Sequence, residues 1–303
     1  MNCHFQRPSA ETPFSETIVR ILSILAISTL ILTNPVLADD ISGTLKKIKD
    51  TGVIKLGHLP QSFPFSFVDD GGRPSGYSTD LCTRVVTGIQ EQLGLSKLDV
   101  QWVPVTLQTR FDAVTSGAID LECGISTNTL SRQKLVDFSL MTWVDGANFV
   151  VREESPFKAL SDLNGKKIAV IPGTTTVGAL KEALEKSYIK AEIVMVQSHV
   201  EGLEALQKGT AEAYASDQTV LIGLALAASK SIKVRLGDRG LSYEPYGLTM
   251  RKNDQDFRQA VNTVIARLYR TSQIGPIYDR WFGKLGKPSQ YITMMYLLNG
   301  LPE

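Results

Sequence analysis

The sequence predicts an α/β protein of two lobes, each a mainly parallel sheet flanked by helices. Three observations lead there: apolar strands alternating with amphipathic helices, a second half that repeats the order of the first, and a strand plus helices left over after the second unit. In the first unit a strand at Val53 to Gly57 precedes a helix with Leu81, Val85, Ile89 and Leu93 at four-residue spacing. Ser78 can cap that helix and Gly94 can end it. A strand from Leu98 to Val105, a short helix around Phe111 to Val114 and a strand at Ile119 follow. Strand–helix–strand order requires parallel strands with helical crossovers.

The order then restarts, with strands at Lys167 to Ile171, Ala191 to Val196 and Ala211 to Ala215, and helices at Val177 to Leu184 and Leu203 to Leu206. The stretch from Arg110 echoes that from Gly202: Phe111 matches Leu203, Ala113 matches Ala205, Val114 matches Leu206 and Gly117 matches Gly209. Tyr246 to Arg251 then reads as a returning strand. An amphipathic helix (Phe257, Val261, Val264, Leu268) and Tyr278 to Gly283 follow it. Adding these to the first lobe takes two connections, expected near Gly146 to Val150 and near Glu244 to Gly247. Such a pair forms a hinge, and a cleft between lobes is a preferred ligand location. The expected division is 39–147 and 246–303 for the first lobe and 148–245 for the second.

At 303 residues the chain has room for two ordinary domains, and 32 basic against 31 acidic residues leave almost no net charge. That balance, without a basic block, argues against nucleic acid as a partner. At the N-terminus Arg20 precedes an uncharged run, Ile21 to Leu32. Asn34-Pro35 and Val36-Leu37-Ala38 come next. This reads as an export signal over 1–38 cleaved after Ala38, the run being shorter than the roughly 20 apolar residues of a membrane span. Cys82 and Cys123 remain after cleavage. They either pair in an oxidising compartment or stay as two buried thiols.

The candidate ligand groups lie at strand ends, where α/β sheets hold their ligands. After Ile119 and Leu121 the chain runs through Ser126, Thr127, Thr129 and Ser131 to Arg132. Hydroxyls beside a guanidinium suit a carboxylate; the alternative is a polar loop in which Arg132 pairs with Asp137. Gly173-Thr174-Thr175 opens a helix, where N–H groups attract anions or the threonines merely cap. Asp217 can accept from an ammonium or cap the helix beginning at Thr219. Arg110 reaches either the cleft or the surface, and His199 is either structural or ligand-facing. No histidine has a metal-ligand partner at helical spacing, there is no Gly-x-Ser-x-Gly elbow, and no cofactor motif occurs.

Gly76-Tyr-Ser-Thr-Asp80, Glu122-Cys-Gly124 with Ser126-Thr127-Asn128, Arg132-Gln-Lys134, Gly173-Thr-Thr175 and Trp281-Phe-Gly283 together resemble the bacterial periplasmic amino-acid-binding proteins of ABC importers, nearest the glutamate/aspartate branch. The resemblance implies the two-lobed type II periplasmic-binding-protein fold, a periplasmic location, a monomer, and an ABC permease as partner. It implies that Arg132, with Thr127 and Thr174 or Thr175, holds an α-carboxylate. Asp217 would hold the α-ammonium, and Arg110 and His199 would face the side chain. The chain departs from that branch at Leu59, where an arginine is expected, and at Leu107 and Ile125, where hydroxyls are expected. An α-amino acid is thus the expected ligand, glutamate or aspartate first, an amide or a larger, partly apolar one next. The rival is an exported enzyme on the same fold, such as a cyclohexadienyl dehydratase, with Glu122 and His199 as its candidate acids.

Overall fold

The computed structural model describes Met1 and residues 41–302; the expected signal segment, beyond Met1, lies outside the described residues. The first lobe opens with α1 (Gly43–Thr51), halted at Gly52 in the left-handed conformation (φ 65°). β1 (Val53–His58) follows, then a small antiparallel sheet of β2 (Gln61–Ser62), β3 (Ser66–Val68) and β4 (Pro74–Ser75). α2 (Tyr77–Gln92), β5 (Asp99–Pro104), α3 (Arg110–Thr115) and β6 (Leu121–Glu122) complete the alternation. β7 (Val136–Asp145) runs the length of this lobe and passes directly into β8 (Ala147–Arg152) of the second sheet. There β9 (Lys167–Val170), α4 (Thr175–Lys186), β10 (Glu192–Met195), α5 (His199–Lys208), β11 (Ala213–Asp217), α6 (Gln218–Ala227) and β12 (Val234–Leu236) follow. β13 (Glu244–Arg251) returns to the first sheet, and α7 (Gln255–Arg270), α8 (Ile274–Phe282) and α9 (Gln290–Asn299) end the chain.

Both sheets have five strands and one plan. The orders are β5-β1-β6-β13-β7 and β10-β9-β11-β8-β12. Strands joined by helical crossovers, β5-β1-β6 and β10-β9-β11, pair in parallel. β13 and β8, which enter each sheet from the other lobe, run against the parallel set, and the edge strands β7 and β12 pair antiparallel with them. Central parallel strands are covered on both faces, hence the unbroken burial of Ile168 to Val170 and Ala213 to Asp217.

Ser78 is not the cap that the sequence suggests: it lies inside α2, and its hydroxyl donates to the Gly124 carbonyl at 2.7 Å. The bond ties α2 to the loop after β6. Cys82 and Cys123 form a disulfide between the same two segments, which settles the alternative the sequence leaves open. An aromatic cluster of Phe65, Tyr77, Trp143 and Phe282 packs beside the hinge, with Trp143 stacked on Phe282 at 4.3 Å. Tyr246 joins it edge-on to Phe65 at 5.5 Å. This packing fixes the Tyr246 ring while its hydroxyl points toward the cleft.

Candidate functional site

Arg132 opens a short 3₁₀ turn (Arg132–Lys134), and its side chain folds back over the hydroxyl run. Nη1 donates to the Thr127 carbonyl at 3.0 Å and Nη2 to the Gly173 carbonyl at 3.2 Å, so one guanidinium touches both lobes. It does not pair with Asp137, whose carboxylate accepts from the Asn253 N–H instead. Arg110 is not at the surface, where the sequence alone tends to put it. It is 1% exposed, and Nε donates to Ser126 Oγ at 2.8 Å. Its Nη1 is buried and finds no hydrogen-bond partner among the described residues. Both guanidiniums lie against the Phe111 ring, at 4.5 Å for Arg110 and 5.0 Å for Arg132.

The second lobe brings the opposite charge. Asp217 ends β11 at the helix-capping position, but its side chain makes no capping bond. Oδ2 instead accepts from the Tyr246 hydroxyl at 2.5 Å and Oδ1 from Thr176 Oγ1 at 3.4 Å. The start of α6 is served by Asp145, which accepts from the Thr219 N–H at 3.1 Å. Thr175 Oγ1 donates to Glu244 at 2.7 Å and stands 3.3 Å from Thr127 Oγ1, a hydroxyl contact across the cleft. Thr174 turns its hydroxyl to the Ile171 carbonyl.

These groups surround a cleft that the two lobes leave almost closed, with about 10 Å³ of free space. Leu107, Arg110, Ile125, Thr127 and Arg132 line it from the first lobe, and Thr174, Thr175, Ser216 and Asp217 from the second. Leu107 also lines a neighbouring pocket of about 140 Å³ with Leu59, Ser62, Ile171 and His199. His199 therefore stands one step from the charged cleft. Both its ring nitrogens are engaged, Nδ1 with the Tyr214 hydroxyl at 2.6 Å and Nε2 with Ser62 Oγ at 3.4 Å. Burial lowers its pKa to about 4, so it is neutral at ordinary pH. Ser126 lies beneath Arg110 and lines neither pocket.

Burial shapes the charges further. It lowers Arg110 to about 10, opposed by the Glu122 carboxylate close by, so Arg110 stays charged. Burial also raises Glu122, which is fully enclosed and accepts from Thr249 Oγ1 at 3.0 Å. Asp217 is raised by burial and by the nearby Asp145 and Glu244. Among the described residues, no group of three or more His, Cys, Asp or Glu could hold a metal ion.

A binding cleft built from two like sheets around paired guanidiniums and an opposed carboxylate has counterparts. Residues 54–284 match the model for bacterial extracellular solute-binding proteins, family 3. The chain belongs to that family. Its relatives there include the L-glutamate/L-aspartate-binding protein of Pseudomonas aeruginosa, 38% identical over 258 residues and 85% of each chain. Among solved structures it resembles a mutant of ArgBP from T. maritima, with TM-score 0.69 and 26% identity over 80% of this chain and all of that one. It also resembles an ancestral amino acid-binding protein described as a precursor of cyclohexadienyl dehydratase, with TM-score 0.68 and 28% identity over 79% of this chain and all of that one. The fold of the family member described here is the two-lobed type II arrangement that its sequence predicts.

Several groups of the site escape a reading of the sequence. Phe111 sits between apolar helix positions and gives no sign of serving two arginines. Tyr246 and Glu244 read as hinge residues and Asp145 lies just before the expected connection at Gly146, although Glu244 and Asp145 are direct register partners where the two connections pair. The pairing of those connections was the only usable signal.

Proposed function

We propose that this solute-binding protein is exported to the periplasm and captures an α-amino acid between its lobes, glutamate or aspartate first, for delivery to an ABC permease. The observation that carries the reading is one cleft with Arg110 and Arg132 on one lobe and Asp217 on the other. Closure must improve binding, which requires contacts that only the closed pair of lobes supplies. Arg132 and Thr127 are suited to the α-carboxylate, with Thr174 and Thr175 opposite. Asp217 is suited to the α-ammonium, and the unpartnered Nη1 of Arg110 to an acceptor on the side chain. Charge-assisted bonds contribute roughly 1.5–3 kcal/mol each, and three or four, less the cost of ordering, reach about −8 kcal/mol, or micromolar affinity.

The curated relatives named for glutamate and aspartate support that choice. Leu59, Leu107 and Ile125 pull toward a less acidic ligand, so an amide or a larger, partly apolar amino acid ranks second. An enzyme would need an acid that reaches the cleft. Glu122 is enclosed below Arg110 and His199 is held at both nitrogens, which favours capture over conversion. The test is calorimetry of the mature chain against the twenty amino acids, followed by analysis of the recovered compound. Micromolar binding of glutamate or aspartate with the compound unchanged is expected. Its chemical conversion, or failure of all twenty to bind, overturns the reading.

A further inference from the structure

Asp217 is buried and shares the Tyr246 hydroxyl with the half-buried Asp145, and the buried Glu244 stands beside that pair. Asp145 ends β7, Glu244 opens β13, and the two are register partners at the hinge. The Tyr246 hydroxyl stands 2.5 Å from Asp217 and 3.4 Å from Asp145, one proton facing two acceptors. The remaining donors are Thr176 to Asp217, Thr175 and Ser242 to Glu244, and the Gly146 and Thr219 N–H groups to Asp145. The cations facing the cluster are Arg132, in its field directly, and Arg110, which Glu122 offsets from below. His199 faces Tyr214 and Ser62 instead and is already neutral above about pH 4. Two carboxylates that face one hydroxyl, with Asp217 out of water, do not readily ionise together. The buried Arg110 Nη1 aimed into the same cleft marks it independently as a ligand site.

We propose that the Asp145–Asp217 pair, bridged by the Tyr246 hydroxyl, holds a shared proton that amino-acid capture expels, so that binding is coupled to proton release. This rests on the capture reading above. The incoming ammonium keeps its three protons and donates to the Asp217 carboxylate; the carboxyl proton passes to the buffer, and no bond within the amino acid changes. Asp145 is a positioning residue that touches Asp217 through Tyr246. Burial and the neighbouring acids raise Asp217 to about 7 and burial raises Asp145 to about 6, which puts the exchange near neutrality. Bound ammonium favours the ionised form, so affinity falls as pH drops below that range, by at most roughly tenfold per unit for one proton.

The test is calorimetry with L-glutamate and L-glutamine at pH 6.5, in phosphate and in imidazole, whose ionisation heats differ. The expected result is a heat that depends on the buffer and corresponds to about half to one proton released, with an affinity that weakens about tenfold from pH 7.5 to 5.5. Asp145→Asn keeps the acceptor for Thr219 but removes one charge. It should move the loss of affinity to lower pH, a shift that a merely structural role, which lowers affinity alike at every pH, does not produce. Binding with equal heats in both buffers and a flat pH profile overturns the proposal and leaves the capture reading intact. Absence of binding by any amino acid at either pH refutes the capture reading, and this inference with it.

Discussion

Arg132 and Arg110 flank one aromatic ring, yet their surroundings differ in what they leave free. Arg132 spans the lobes through the Thr127 and Gly173 carbonyls, which under the proposed capture suits it to the part all α-amino acids share. Arg110 is locked by Ser126 and offset by Glu122, with one nitrogen left over for a variable group. Arg132→Ala should therefore weaken every amino acid by at least tenfold, whereas Arg110→Ala should reorder preferences and spare apolar ligands, both read by calorimetry. Equal losses for all ligands from both changes would contradict this division. Tyr246→Phe removes the hydroxyl that Asp217 accepts while keeping the ring among its aromatic neighbours. Thermal stability should stay within a few degrees, and the pH at which binding is lost should move upward, since Asp217 loses a donor to its charged form. The residues that meet in the cleft were legible at strand ends because hydroxyls beside arginine stand out in a sequence. Their partners were not: Glu122 beneath Arg110 is a fact of packing twelve positions away.

At the scale of elements, the alternation of strands and helices was readable because each carries its own period, two or about 3.6. The hinge was placed by topology rather than by composition, since a strand and two helices remained after the second sheet was filled. The disulfide was the part that spacing could not decide, because pairing depends on how α2 lies against β6. It closes a loop of about 40 residues over the end of the sheet that carries the hydroxyl run. Replacing Cys82 and Cys123 together by alanine should cost roughly 2–4 kcal/mol, measurable as a lower denaturation midpoint, with a smaller effect on binding. Gly223 of α6 is another element-level constraint. A Cβ there would come within 2.6 Å of the Phe63 carbonyl in the other lobe. Gly223→Leu should hold the lobes apart, raising the radius of gyration in solution scattering and weakening capture more than tenfold. Unchanged binding would show that this contact is dispensable.

For the whole molecule, the buried acids make stability depend on pH as well as binding. A carboxyl whose folded pKa is raised binds protons more readily in the native state than in the unfolded one. Its contribution is full below about pH 4, the unfolded value, and is lost as pH rises to about 6 for Asp145 and about 7 for Asp217. The free protein should thus lose melting temperature between pH 5 and 7.5, and Asp145→Asn should flatten that slope. An amino acid that engages Asp217 should restore stability most at the upper end of the range. A melting curve rising steadily with pH across this window would contradict the assignment.

The outer rims of the lobes meet where the Gln108 side-chain amide donates to the Gln197 carbonyl at 3.2 Å. These positions lie on opposite sides of the cleft mouth and outside both sets of charged groups. A donor–acceptor dye pair attached there would report the gap between the jaws as a change in light, turning occupancy of the protein into a reagentless optical readout.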